Sequence, residues 1–395
     1  MKSGSKEILA AGRKLLFIVV LAALPAAFAA WSQESRKIVT LDGYVSAMHT
    51  VTYDSLSGPF INDNLIHNRL NFKGYVNKNI TLAAEFRNRL FTGDMITRIP
   101  AYADMIGEDP GLVDMSWNIA REQSFLLNTT LDRLWADFNY GKFQARIGRQ
   151  RINWGQTLVW NPNDLFNAYS FFDFDYVERP GSDAIRLQYY PGAASTLEVA
   201  VKGDNQNRIT AAALYRFNRW GYDVQFLGGY VNSSDAVIGT GWSGAFGSVS
   251  FRGEASWFQP VSNFSDTTGT GLLTIGFDKS FRNNSIAQVQ VMLCNNPVNP
   301  GSFTNFYYGT LSAKELAFSR FTAFGSFTWP VTPLFNATLS AMWFPDLKGY
   351  YAGPSFDYNV ASNVDLSLYW QHFDSRTEAA AEKINMAFLR VKISF

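Results

Sequence analysis

The clearest pattern in this chain has a period of two. At the C-terminal end Ala387, Leu389, Val391, Ile393 and Phe395 fall on one side, while Arg390, Lys392 and Ser394 fall on the other. The alternation returns in 131–140, where Leu134, Ala136, Phe138 and Tyr140 interleave with Arg133, Trp135, Asp137 and Asn139, and again in 184–190, 195–202, 247–257 and 363–371. Such a period belongs to β-strands. Lys and Arg on the non-apolar face argue against a soluble sandwich or propeller. They fit a wall with hydrocarbon on one side and water on the other. Followed through the chain, the pattern predicts eighteen strands, of which the glycine-rich 237–246 is the least regular, with sixteen as the nearest alternative.

The connections alternate too. Gly141, Gly192 to Ala194, Asn218-Arg219, Gly247 and Pro330 to Pro333 make tight turns, while 52–64, 92–130, 152–183, 258–267, 295–314 and 374–383 make mostly longer links. Short turns at one rim and long loops at the other predict an all-β, transmembrane, antiparallel up-and-down β-barrel with periplasmic turns and extracellular loops. Tyr140, Trp220, Trp257, Trp329, Trp343 and Trp370 lie near strand ends, where aromatic rings anchor at a lipid interface.

The first residues follow another rule. Lys2, Lys6, Arg13 and Lys14 precede an apolar run from Leu15 to Leu24, too short to span a bilayer as a helix, and Ala27-Phe28-Ala29 is an A-x-A cleavage site. Residues 1–29 are therefore expected to be a secretory signal peptide and 30–395 the barrel. Removing the signal takes the formal net charge from +1 to −2. With 16% aromatic and 17% charged residues the chain is no disordered segment, and its charge balance gives no footprint for nucleic acid. The single Cys294 excludes an internal disulfide, and no spacing of His, Cys or carboxylates matches a metal site, so no metal and no cofactor is expected.

With the apolar face given to lipid, the opposite face becomes a lumen. The alternation places Arg69, Lys73, Arg87, Arg89, Arg133, Arg146, Arg186, Arg216, Arg252, Arg320, Arg390 and Lys392 there, against Glu85, Asp137, Glu198, Asp223, Glu254 and Asp365. An excess of cations would ease the passage of anionic solutes. The opposing reading is that about half of these charges form ion pairs within the wall. Two links are long enough to fold inward. In 92–130, Asp109-Pro110 reads as the N-cap and first residue of a short helix over Leu112 to Gln123. Before 152–183 the alternation breaks: Arg149 and Arg151 share the lipid-facing parity of Ile147, so either the strand has reached the headgroups or a bulge at Gly148 turns them inward.

Gly148-Arg149-Gln150, Asn153-Trp154-Gly155 and Trp160-Asn161-Pro162-Asn163-Asp164 resemble a signature of Gram-negative porin-like outer-membrane barrels, including alginate-export-type barrels. The resemblance covers about forty residues and implies a loop folded into the channel as a constriction. In it Trp154 and Trp160 would offer faces to sugars, and Asn161, Asp164, Asp173, Asp175, Glu178 and Arg179 polar contacts. The terminal Phe395 strand likewise resembles the signal read by the outer-membrane barrel-assembly machinery. Together these imply a passive channel for small hydrophilic solutes, anionic or saccharide, surrounded by outer-membrane lipid and lipopolysaccharide. A non-conducting scaffold for a partner protein stays open, as does a homo-oligomer. A lipid-modifying enzyme is the third reading. It has only His49, His67 and His372 to draw on, with His67 on the inner face and the others on the outer, and no serine is arranged beside them.

Overall fold

Every alternating segment becomes one strand of a single antiparallel sheet that closes on itself. The computed structural model describes residues 38–172, 178–262, 264–298, 312–376 and 381–395. The expected signal peptide, Asp173 and Asp175 lie outside them. The strands are β1 (Val39–Tyr53), β2 (Ile61–Tyr75), β3 (Ile80–Gly93), β4 (Ser116–Arg121), β5 (Phe125–Tyr140), β6 (Phe143–Gln150) and β7 (Ser182–Gly192). There follow β8 (Ser195–Gly203), β9 (Ile209–Arg219), β10 (Tyr222–Val231), β11 (Asp235–Phe246), β12 (Val249–Pro260) and β13 (Thr270–Ser280). The rest are β14 (Ile286–Cys294), β15 (Phe321–Thr332), β16 (Phe335–Phe344), β17 (Gly349–Ala361), β18 (Val364–Arg376) and β19 (Ala381–Ser394). β1 pairs with β2 on one side and with β19 on the other, Tyr44 opposite Ser394 and Tyr53 opposite Asn385, which closes the ring. β3 pairs directly with β5, so eighteen strands form the barrel and the short β4 is an addition.

The two faces differ as the alternation demands. Ile66, Leu82, Leu134, Ile147, Ile185, Leu187, Val199, Phe226, Phe277, Leu339, Leu368 and Leu389 are exposed around the outside. So continuous an apolar girdle is stable only against hydrocarbon, and a closed barrel leaves no strand edge unpaired inside it. The periplasmic turns are tight because their residues accept left-handed backbone: Trp220 and Gly221, with φ of 55° and 77°, form the two-residue link between β9 and β10.

The long link after β3 does not contain the helix expected at Leu112 to Gln123. Two short helices come earlier, α1 (Asp94–Arg98) and α2 (Tyr102–Gly107), and β4 occupies Ser116–Arg121. Asp109 does cap backbone N–H groups, those of Gly111 at 2.8 Å and Met115 at 2.7 Å, but as a turn and not as a helix start.

Candidate functional site: the lumen and its inward loop

β6 is only eight residues long because the chain leaves the wall after Gln150. Gly148 is the pivot. Its φ is +114°, and a Cβ there would stand 2.2 Å from the Leu134 carbonyl oxygen, so only glycine fits. β5 and β6 stay in register past it, with Leu134 opposite Arg149. Arg149 therefore keeps its lipid-side parity, and no bulge turns it inward. It is tolerated because it is covered and paired: Nε donates to Asp183 at 2.7 Å and Nη1 to Asp109 at 2.6 Å, and Nη2 reaches the Val113 carbonyl at 2.6 Å. The cover comes from the preceding loop. Gly111 bridges to Asp204 at the end of β8, and β4 pairs with the extracellular half of β5, where β6 would otherwise run. Residues 109–121 thus mend the gap that the departing chain leaves.

Inside, the loop packs as a small core. Ile152, Trp154, Val159, Trp160, Leu165, Phe166 and Phe172 are buried against wall residues that include Ala200, Leu227, Phe258, Met292, Phe324 and Tyr351. Trp154 meets Phe166 edge-on at 5.0 Å, and Trp160 meets Phe324 at 6.4 Å. Both indoles are buried, so the flat faces expected for sugar stacking are occupied by protein. Polar wall residues fix the loop backbone. Glu254 on β12 accepts from the backbone N–H groups of Gln156, Thr157 (2.7 Å) and Asn163 (2.8 Å), and the Thr157 hydroxyl lies 2.9 Å away. Gln225 on β10 donates to the Trp154 carbonyl at 2.6 Å. Gln290 on β14 accepts from the N–H groups of Leu158 and Val159 and donates to the Trp160 carbonyl. Glu198 on β8 accepts the indole N–H of Trp154 at 2.7 Å.

The loop reaches across the lumen before returning. Phe172 packs edge-on against Tyr351 and Phe373 at 5.2 and 5.0 Å, on the β17–β18 side. On the way back, Arg133 donates to the carbonyls of Glu178 and Arg179, both at 2.7 Å, and Glu178 lies 3.8 Å from Arg69. Arg179 stacks on the Tyr169 ring at 3.7 Å. Asn161 is buried, with its amide 3.4 Å from the Tyr169 hydroxyl. Asp164 is fully buried, and neither carboxylate oxygen has a well-formed hydrogen bond. Burial pushes its pKa up to about 7, against a partial pull downward from Arg151.

The lumenal charges are more balanced than the alternation implied. Arg69 pairs with Glu85 at 2.5 Å and Asp132 at 2.6 Å, Arg87 with Asp132, Arg146 with Asp137 at 2.7 Å, and Arg252 with Asp278 at 2.8 Å. Asp132 escaped the sequence reading because a bulge opposite Glu85 and Phe86 shifts the parity of β5 at that residue. Arg89 donates to Asn128 at 2.7 Å. Arg320 does not line the lumen. It precedes β15, outside the alternation, and borders a groove on the outer wall. What remains on the lumenal face is a local pattern. Arg146 and Arg186 are direct cross-strand neighbours, and Arg216 donates to the neutral Gln225 at 2.9 Å. Among the described residues no carboxylate lies within ion-pair distance of Arg186 or Arg216.

The histidines do not assemble. His67 is buried edge-on against Tyr44 at 5.2 Å, whereas His49 and His372 bond outward-facing asparagines, Asn64 and Asn385, each at 2.8 Å. Among the described residues no group of three His, Cys or carboxylates is placed to hold a metal.

A closed eighteen-strand wall with an apolar girdle and a loop folded into its lumen is the architecture of a bacterial outer-membrane β-barrel, and the outer membrane is where such a barrel resides. No family model and no curated protein matches the sequence. Solved structures match the fold. Acinetobacter baumannii OccAB1 superposes with a TM-score of 0.58 at 8% identity, over 91% of this chain and 97% of that one. Pseudomonas aeruginosa OpdQ gives 0.57 at 10% identity, over 91% and 99%. Pseudomonas aeruginosa OccK11 (OpdR) gives 0.56 at 7% identity, over 90% and 96%.

Proposed function

We propose that this barrel is a passive channel for small hydrophilic solutes, with a preference for anions. The observation that carries the preference is the pair Arg146 and Arg186. Two guanidinium groups stand directly opposite one another on the lumenal face; Arg146 is paired with Asp137, whereas Arg186, among the described residues, has no carboxylate within ion-pair distance and is attracted from further off by Glu198, which leaves room for a solute anion. Burial of Trp154 and Trp160 removes the main support for saccharide stacking, so anions are the favoured class. The loop segments 151–172 and 178–181 narrow the lumen, and selection is by width and field without a chemical step. The resemblance of residues 148–164 to alginate-export-type barrels supports a constriction built by that loop. Residues 1–29 as a secretory signal belong to the same reading.

The test is electrical. Purified protein in a planar bilayer is expected to insert with stepwise conductance and, in a salt gradient, to give a reversal potential favouring the anion. Folded protein that inserts and stays silent would instead support a scaffold that binds a partner.

A further inference from the structure

The outer wall carries a feature that permeation does not use. Across β10 to β14 the lipid-facing side chains shrink to Thr240, Ala255 and Gly271, and between the larger Phe226, Ile238, Trp257 and Leu293 they leave an open groove of about 800 Å³. It crosses five strands, roughly 19 Å at about 4.8 Å per gap, comparable with one extended acyl chain. Its upper end lies where β14 stops and β15 begins, and is bordered by Asn295 and Arg320. Arg320 is exposed, and among the described residues no carboxylate is within ion-pair distance of its guanidinium. The nearby Asp346 is bonded instead to the Arg320 backbone N–H, at 2.7 Å. The Arg320 carbonyl is in turn held by the Cys294 N–H at 2.9 Å, so the backbone under the cation is fixed at the rim.

We infer that this groove is a binding site for a phosphorylated outer-leaflet glycolipid of the lipid A class, one acyl chain lying over Ala255 and Gly271 and a phosphate meeting Arg320. The charge pattern selects this occupant. The groove is apolar except at its extracellular end, and there it offers a guanidinium, whose forked N–H donors suit phosphate. Trp257, its indole N–H turned to Gln259 at 3.2 Å, marks the interface level at which that phosphate would sit.

Native mass spectrometry of the full chain, with diphosphoryl lipid A, enzymatically dephosphorylated lipid A or phosphatidylglycerol added to the detergent, tests the assignment. Retention of diphosphoryl lipid A over both others is expected. Arg320→Gln should weaken it about tenfold, the loss of one charge-assisted hydrogen bond. Ala255→Leu, which fills the floor and leaves the cation, should weaken it as well. Both variants should keep the wild-type conductance, so the site and the channel reading fail separately. Equal retention of all three lipids, an unaffected Arg320→Gln variant, or a stable oligomer that Ala255→Leu dissolves would overturn the proposal, the last by giving the groove to a second copy of the chain.

Discussion

Replacing Glu254 by Gln is the sharpest perturbation of the inward loop, because it leaves size and shape almost unchanged while altering what the loop backbone is bonded to. Three backbone N–H groups point at the two carboxylate oxygens: those of Gln156 and Thr157 at Oε1 and that of Asn163 at Oε2. An amide has only one acceptor oxygen. If it keeps the first two donors, its NH2 faces the Asn163 N–H, donor against donor. In the reverse orientation two donors are stranded. The site is dry, so a stranded N–H costs about 1–3 kcal/mol, and each hydrogen bond that persists loses its charge assistance. The total is about 3–5 kcal/mol, enough to release the 156–163 segment while the strand ladder of the barrel stays intact. Three outcomes are expected together: unchanged heat-modifiable migration in gels, higher and noisier single-channel conductance, and easier acrylamide quenching of Trp154 and Trp160. Wild-type conductance and quenching in a folded Glu254→Gln protein would refute the claim that this carboxylate holds the loop.

Arg149→Ala leaves Asp109 and Asp183 facing each other under the mended wall without their cation, and loss of one partner from a buried pair costs about 3–5 kcal/mol. The transition to the heat-denatured form should move to lower temperature, whereas Arg208→Ala, in an exposed pair, should hardly shift it. Asp164, whose pKa rises from 3.8 to about 7 on burial, favours the inward pose most when it is protonated. That contribution is complete below about pH 4, declines toward pH 7 and is absent above it, so indole quenching should increase across that window and Asp164→Asn should flatten the change. Arg186→Gln should move the reversal potential toward cation preference, with Arg216→Gln adding to the shift. An unchanged potential in the double variant would remove the basis for anion preference.

The wall was legible in the sequence because hydrocarbon and water impose opposite demands on neighbouring residues, and even the glycine-rich segment near 237 pairs in full as β11. The departure of the loop was legible too, in the conflict between the parity of Arg149 and its charge. The way the conflict is settled was not visible. It needs Asp109 and Asp183, residues 40 and 34 positions away, and Asp109-Pro110-Gly111 reads equally as a helix cap and as a turn. Gln225 and Gln290 escaped a census of charges because they are neutral, although they hold as much of the loop backbone as Glu254 does. Asp132 was hidden by a bulge, and a shift of one residue reverses every inference about facing.

Because residues 109–121 stand in the slot vacated where the chain leaves the wall after Gln150, the two loops are coupled like a drawn bolt and the plate behind it. Grafting the inner loop of another barrel here, or trimming it so that β6 ran on to full height, would set two ribbons competing for one edge of β5. Deleting the outer loop alone would leave that edge, and the Arg149 guanidinium, bare to fatty acyl chains. Any re-engineering of the aperture therefore has to treat both segments as one replaceable part.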